Sequence, residues 1–339
     1  MNIASVIVFV AITFVARAAR AQDLPPEFHA FLAEIVGLSQ ADIRAATAGE
    51  PVTHVLPSRE SRDVAMFGMI AVKAPVATVG AFLSAMPGAL NAPGRTIGIL
   101  RETATPADFE GVTMSEENAR ALRACRIGAC EFKLSTEEMA RAAAVVARED
   151  EARAATLFEQ ERLAAIVNAY RRTGNAAMPE YNDYGKRTIA GADAFNALVA
   201  DEILFRFAPG LQEYLTGYPR AELPGSRDVL YWSIDQLPGA KATTSLNHRV
   251  MYSPADAGTF VSATKEIAAD HYLESGLDVV VVVEKPGSNH AESYVMFLRQ
   301  YRFDHMAKVF FVSLRGRVVA KLRELSVADL QRLRSEAAK

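Results

Sequence analysis

TSLNHRVMYSPADAGTFVSATKEIAADHYLESGLDVVVVVE, residues 244–284, holds three runs of strand-forming residues divided by short polar or glycine- and proline-bearing segments. VLYWSID (229–235) precedes it and SYVMFLRQYRF (293–303) follows it. Five strands in succession with short connections predict an antiparallel meander. A helix is predicted directly after the meander, over 304–324, and Ser326 with Asp329 signals a short capped helix behind it.

Upstream, DVAMFGMIAVKAPVATVGAFLSAM (63–86) changes period in its middle. Val64 to Lys73 is rich in strand formers and Pro75 closes it. Val76, Val79, Phe82, Leu83 and Met86 then recur at helical spacing, so a strand runs straight into an amphipathic helix. Further strands are expected at Thr96–Arg101 and Glu131–Leu134. The region 135–225 reads as helical. Ser135 and Glu138 form a capping box, a long helix runs on to about Arg172 and stops at Gly174, and ARED (147–150) marks a solvated face or a break. Another helix is predicted over Ala192–Phe207, ended by Pro209, and a short one over Leu211–Leu215. Near the start, Pro26–Val36 predicts a helix ended by Gly37, and Gly49–Arg62 reads as a linker or an edge strand. No fixed-period repeat is present.

IAVKAPVATVGAFL (70–83), together with the meander 229–303 and the predicted C-terminal helix, resembles the START-related, or SRPBCC, helix-grip superfamily. The YWS and HYxxxxL stretches are similar to those of a secreted bacterial family. The resemblance implies an α+β fold, a curved antiparallel sheet gripping a long C-terminal helix, with the helical block 135–225 as an insertion. It also implies a cavity between sheet and helix that holds a lipid-like, apolar or amphipathic molecule. The resulting division is a signal peptide over 1–21, an N-terminal helix and linker over 22–61, and a START-like domain over 62–339.

The export expectation rests on the first residues. An apolar run from Ile3 to Val15 is followed by Ala19-Arg20-Ala21, a small-x-small cleavage pattern, which points to a periplasmic or extracellular mature chain. The two cysteines, Cys125 and Cys130 in CRIGAC, are expected to pair in an oxidising compartment, with Gly128 allowing the tight turn. The formal charge of −3 shows no dominating Lys/Arg stripe, which argues against nucleic acid as a partner.

Side chains alternate along a strand, so faces follow from the apolar members. Leu246, His248, Val250 and Tyr252 share one face, and Val261, Ala263, Lys265 and Ile267 another, which turns His248 and Lys265 inward. In the last strand either Arg299 or Gln300 joins them. Asp270, His271 and Tyr272 lie where a strand ends. The expected ligand-binding set is His248, Lys265, His271, Tyr272 and Arg299, the few polar groups of a mostly apolar pocket. The same residues also read as hydrogen-bonded core groups and strand ends. No G-x-S-x-G elbow, phosphate-binding glycine loop, dinucleotide fingerprint or H-E-x-x-H occurs, so no catalytic residue, cofactor or metal site is assigned. An enzyme using His248, His271 and Asp270 for acid–base chemistry is the second reading, and an envelope protein docking through 135–225 the third. The basic residues of 304–324 suit a solvated face or peripheral contact with anionic lipid.

Overall fold

The computed structural model describes residues 24–85, 95–146, 150–200, 202–235, 241–255, 258–304, 308–309 and 312–337. The signal segment read over 1–21 and Met86 of the amphipathic helix lie outside these residues. In chain order the elements are α1 (Pro26–Ala30), running on as a π-helical stretch (Phe31–Val36), α2 (Gln40–Thr47), β1 (Val52–Leu56), β2 (Asp63–Val72), α3 (Val76–Ala85) and β3 (Thr96–Ile99). A helical block follows, with α4 (Glu116–Ala124), α5 (Thr136–Val146), α6 (Glu151–Thr173), the short strands β4 (Glu180–Tyr181) and β5 (Ile189–Ala190), α7 (Gly191–Val199) and α8 (Leu211–Gly217). The chain then enters β6 (Arg227–Asp235), β7 (Thr243–Tyr252), β8 (Thr259–Ala269), β9 (Leu273–Glu284) and β10 (Ser293–Phe303). It ends in β11 (Lys308–Val309), β12 (Val312–Ser313) and α9 (Leu314–Ala337).

Eight strands form one antiparallel sheet in the order β1-β2-β10-β9-β8-β7-β6-β3. The meander β6 to β10 is the one expected, and β10 returns to pair with β2, Met296 opposite Met69. The fold is therefore α+β, a large antiparallel sheet with a C-terminal helix. Both faces of the sheet are covered. One carries Phe67, Leu246, Val250, Val261, Val279 and Leu298 against α6, α7, α8 and the N-terminal helices. The other carries Met66, Ile70, Val282 and Val295 against Val79 and Leu83 of α3 and Leu330 and Leu333 of α9. A strand with two covered faces has no reason to alternate, which accounts for the unbroken valine run 279–283.

One irregularity sets the phase of β8. Leu246 stands opposite Ala268 and Asn247 opposite Glu266, which leaves Ile267 as an extra residue, a β-bulge. Ile267 and Ala268 both join the core under the helical block.

Several expectations need correction. The helix does not begin at 304: Lys308–Val309 pairs antiparallel with Val312–Ser313, as suits the β-branched Val309 and Val312. No second helix starts at Ser326, because nothing between Arg317 and Ala337 is Gly or Pro, and α9 runs through. Glu131–Leu134 is no strand: Lys133 N–H donates to Asp270 O and Leu134 O accepts from Asn182 N–H, two bonds to separate segments rather than a ladder. The helix expected over 192–207 divides at Glu202, whose carboxylate accepts from Leu204 N–H at 3.0 Å and starts a 3₁₀ turn over Ile203–Phe207. The long helix of the block also divides, into α5 and α6, with Asp150 capping the second.

Ser135 and Glu138 make both bonds of the expected capping box. Cys125 and Cys130 form a disulfide. Gly128 in that loop has a φ of 78°, and a Cβ there would meet Gly185 O at 2.1 Å, so the turn needs glycine on both counts.

Gly68 of β2 lies directly under the buried ring of Phe297, where a Cβ would stand 2.3 Å from Cζ. Gly68→Ala is expected to cost about 1–3 kcal/mol by overpacking. Urea unfolding checks this, and Phe297→Leu should recover part of the loss.

Candidate functional site

Between the sheet and α9 lies a cavity of about 240 Å³. It exists because the two surfaces match only over half their length. From α9, Val318, Leu322, Leu325 and Asp329 face the sheet at helical spacing. The following turns bury Leu330, Leu333 and Ala337 in the apolar core against β2 and α3. The sheet under the first half is polar. One row across it reads Tyr231, Asn247, Glu266, and the next Arg249, Thr264, Asp278, Arg299. Gly276, opposite Tyr301, extends the first row without a side chain, and a Cβ there would stand 3.0 Å from the Tyr301 ring and 3.4 Å from Glu266 Cβ. That missing side chain is part of the empty volume.

A buried clamp stands where cavity meets core. Arg299 pairs with Asp329 through Nη2 and donates through Nη1 to Ser326 Oγ at 3.1 Å. Burial opposes the Arg299 charge, and the carboxylates of Asp278 and Asp329 more than offset it, so its pKa rises. Asp278 stands 3.9 Å from Arg299 Nε and accepts from Tyr301 Oη at 2.7 Å. At the other end Arg95 pairs with Asp235 at 2.8 Å and donates to Ser233 Oγ. Arg249 donates to Leu83 O at 2.7 Å and to Ser262 Oγ at 2.9 Å.

Glu266 differs from the other three lining carboxylates. It is 7% exposed, and its hydrogen bond is from Ser245 Oγ, at 3.2 Å. Among the described residues no cation lies within ion-pair distance of it. Burial, with the negative charges of Asp235 and Asp278 acting in the same sense, pushes its carboxyl up to about 8, against the downward pull of the Ser245 bond and of Lys133.

The expected set of five divides. Tyr272 and Arg299 line the cavity. Tyr272 closes the turn between β8 and β9 with a φ of 61°, and its hydroxyl accepts from Lys241 N–H at 3.0 Å. His248 and Lys265 do stand opposite one another on β7 and β8, but on the far face of the sheet, under the helical block. His248 Nε2 meets Asp228 Oδ1 at 2.6 Å and Nδ1 meets Tyr170 Oη at 2.9 Å. Tyr214 Oη donates to the same aspartate. Lys265 donates to Asn175 Oδ1 and Leu215 O, with its ammonium 4.1 Å from the Phe195 ring. Burial lowers its pKa to about 7. His271 packs 4.7 Å from the Phe132 ring and bonds Asp270 at 2.8 Å.

The two histidines thus serve separate clusters, and each already has a carboxylate partner, buried Asp270 for His271 and the partly exposed Asp228 for His248. His248 and Lys265 act as a clasp between the sheet and α6, α7 and α8. Among the described residues no group of three or more His, Cys, Asp or Glu side chains is placed to hold a metal ion.

Glu266, Asp278, Asp235, Tyr231, Tyr301 and Arg95 went unassigned by sequence reasoning. A signal was present: the residues alternating with the apolar face of β7 and β8 are Ser245, Asn247, Arg249 and Ser262, Thr264, Glu266, a polar set at strict spacing of two.

Asp329→Ala leaves the buried Arg299 charge without its closest partner and is expected to cost about 3–5 kcal/mol; the double variant with Arg299→Met should cost less, by thermal or urea unfolding. The Glu266 carboxyl has a folded pKa of about 8 against an ordinary 4.5, so it stays protonated in the folded chain while the unfolded chain ionises. The parent therefore loses stability as pH rises from about 4.5 to about 8, and ligand-free Glu266→Gln should gain on it by a few kcal/mol over that window. Below about pH 4.5 the two should coincide, as unfolding across a pH series would show.

No protein-family model matches the chain, and no curated protein matches it. The geometry of the cavity is what carries a functional reading.

Proposed function

We propose that this chain is an exported binding protein that holds a small amphipathic molecule between its sheet and its C-terminal helix, on a START-like, helix-grip scaffold. The observation that carries the reading is the cavity of about 240 Å³ under α9, with one apolar wall and one polar floor. Val280, Phe297, Val318, Leu322 and Leu325 would take an apolar body, and the rows through Glu266 and Asp278 its polar groups. At about 240 Å³ the cavity lies below the roughly 300–1,000 Å³ usual for drug-sized ligands, which suits a compact molecule.

The scaffold assignment is supported by the path of the chain. A strand, a helix and a second strand at the opposite sheet edge are followed by a five-strand meander that returns to the first strand and then by the C-terminal helix. The disulfide is consistent with an oxidising destination.

Native mass spectrometry of the purified chain, followed by solvent extraction, is expected to release a bound compound. Thr264→Trp, which places an indole on the cavity floor, should lose it. A parent that is empty in every preparation and binds no small amphiphile at millimolar concentration would overturn the proposal.

A further inference from the structure

We propose that the molecule held in the cavity is a cation, an organic amine whose ammonium group pairs with Glu266. The inference rests on the binding reading above and deepens it.

Charge around this cavity is matched except at one carboxyl. Among the described residues four carboxylates face this cavity: Asp235, Glu266, Asp278 and Asp329. Arg95 takes Asp235, and Arg299 takes Asp329 and leans on Asp278. Arg249 is turned to a backbone carbonyl and a serine hydroxyl at the α3 end. Among the described residues, Glu266 meets the Ser245 hydroxyl and no cation. A buried carboxylate with one neutral donor is far from satisfied, since an ionised carboxyl offers about four lone-pair sites.

The surroundings of Glu266 point the same way. Asp235 from β6 and Asp278 from β9 both add negative potential at it, and Tyr301 of β10 closes over Gly276 beside it. Lys133 and Tyr181 act on it electrostatically from the side of the helical block, and Asp329 and Lys321 of α9 line the same cavity. Lys321 is itself bonded to Glu324 at 2.7 Å. An anionic ligand on this floor would meet like charge, whereas an ammonium has three N–H donors for Glu266, Asp278 and the neighbouring hydroxyls.

The position also explains the burial. A glutamate whose carboxyl is raised is held neutral in the empty cavity, at the stability cost given above, and is ionised by the arrival of a cation. Binding of the amine should then release a proton below about pH 8, and affinity should fall with decreasing pH there.

The test is calorimetric titration of the full chain with cyclohexylmethylamine and with cyclohexylmethanol, which share shape and differ in charge. It is run in the parent and in Glu266→Gln, a near-isosteric change that removes no packing. At about pH 8 the parent is expected to prefer the amine by about tenfold or more, with a smaller preference at about pH 6. In Glu266→Gln the preference should vanish at both. Equal binding of the two probes by the parent, or an amine preference that survives in Glu266→Gln, would overturn the assignment while leaving the binding reading intact. Failure of both probes at millimolar concentration would also overturn it, and the native mass spectrum then decides whether the pocket itself holds anything.

Discussion

The ion pair of Arg299 with Asp329 is the constraint around which the sheet and its terminal helix are arranged. Both side chains are 7% exposed, and a pair so placed holds only if its remaining hydrogen-bonding capacity is met. Ser326 and Asp278 supply that for the guanidinium. Because Arg299 sits on β10, between β2 and β9, the pair fixes α9 over the middle of the sheet. Behind it the helix is seated on dry apolar core, and in front it spans a polar floor with which it cannot mesh. The cavity is a consequence of that division.

The opposite face shows the same chemistry put to a different end. Lys265 and His248 are fully buried, and every polar atom they own that the structure places is turned to Asp228, Tyr170, Asn175 or Leu215. Aromatic rings on α6, α7 and α8 complete the enclosure. Buried polar groups satisfied in this way favour one docking of the helical block over its neighbours. Those around the cavity are left with capacity to spare.

Much of the scaffold was legible. The meander, the strand-to-helix passage at Ala74-Pro75, the Ser135 capping box and the Cys125–Cys130 pair all follow from local pattern. The start of α9 was not, because basic residues at helical spacing mask a stretch whose β-branched Val309 and Val312 prefer to pair. The site was half legible. Alternation correctly put His248 and Lys265 on one face, but the choice of that face as the cavity side assumed that a sheet has one inside. Here it has two, and the residue that matters is Glu266, the immediate neighbour of the lysine that drew notice. Sequence alone could not tell which interior is packed solid, since that depends on how far Leu330, Leu333 and Val79 fill the space above β2 and β10.

The extra residue in β8 carries this one step further. Ile267 and Ala268 turn to the same side, so the strand's two ends run out of step: Glu266 keeps the cavity face it shares with Ser262 and Thr264, while the residues beyond Ala268 follow the other phase. Deleting a single residue there would bring the strand back into step and carry one end of it through to the wrong surface. This chain should therefore tolerate many exchanges of side chain along β8 and hardly any change in its length, and lineages that lengthen or shorten the strand should be found to have lost the pocket along with the bulge.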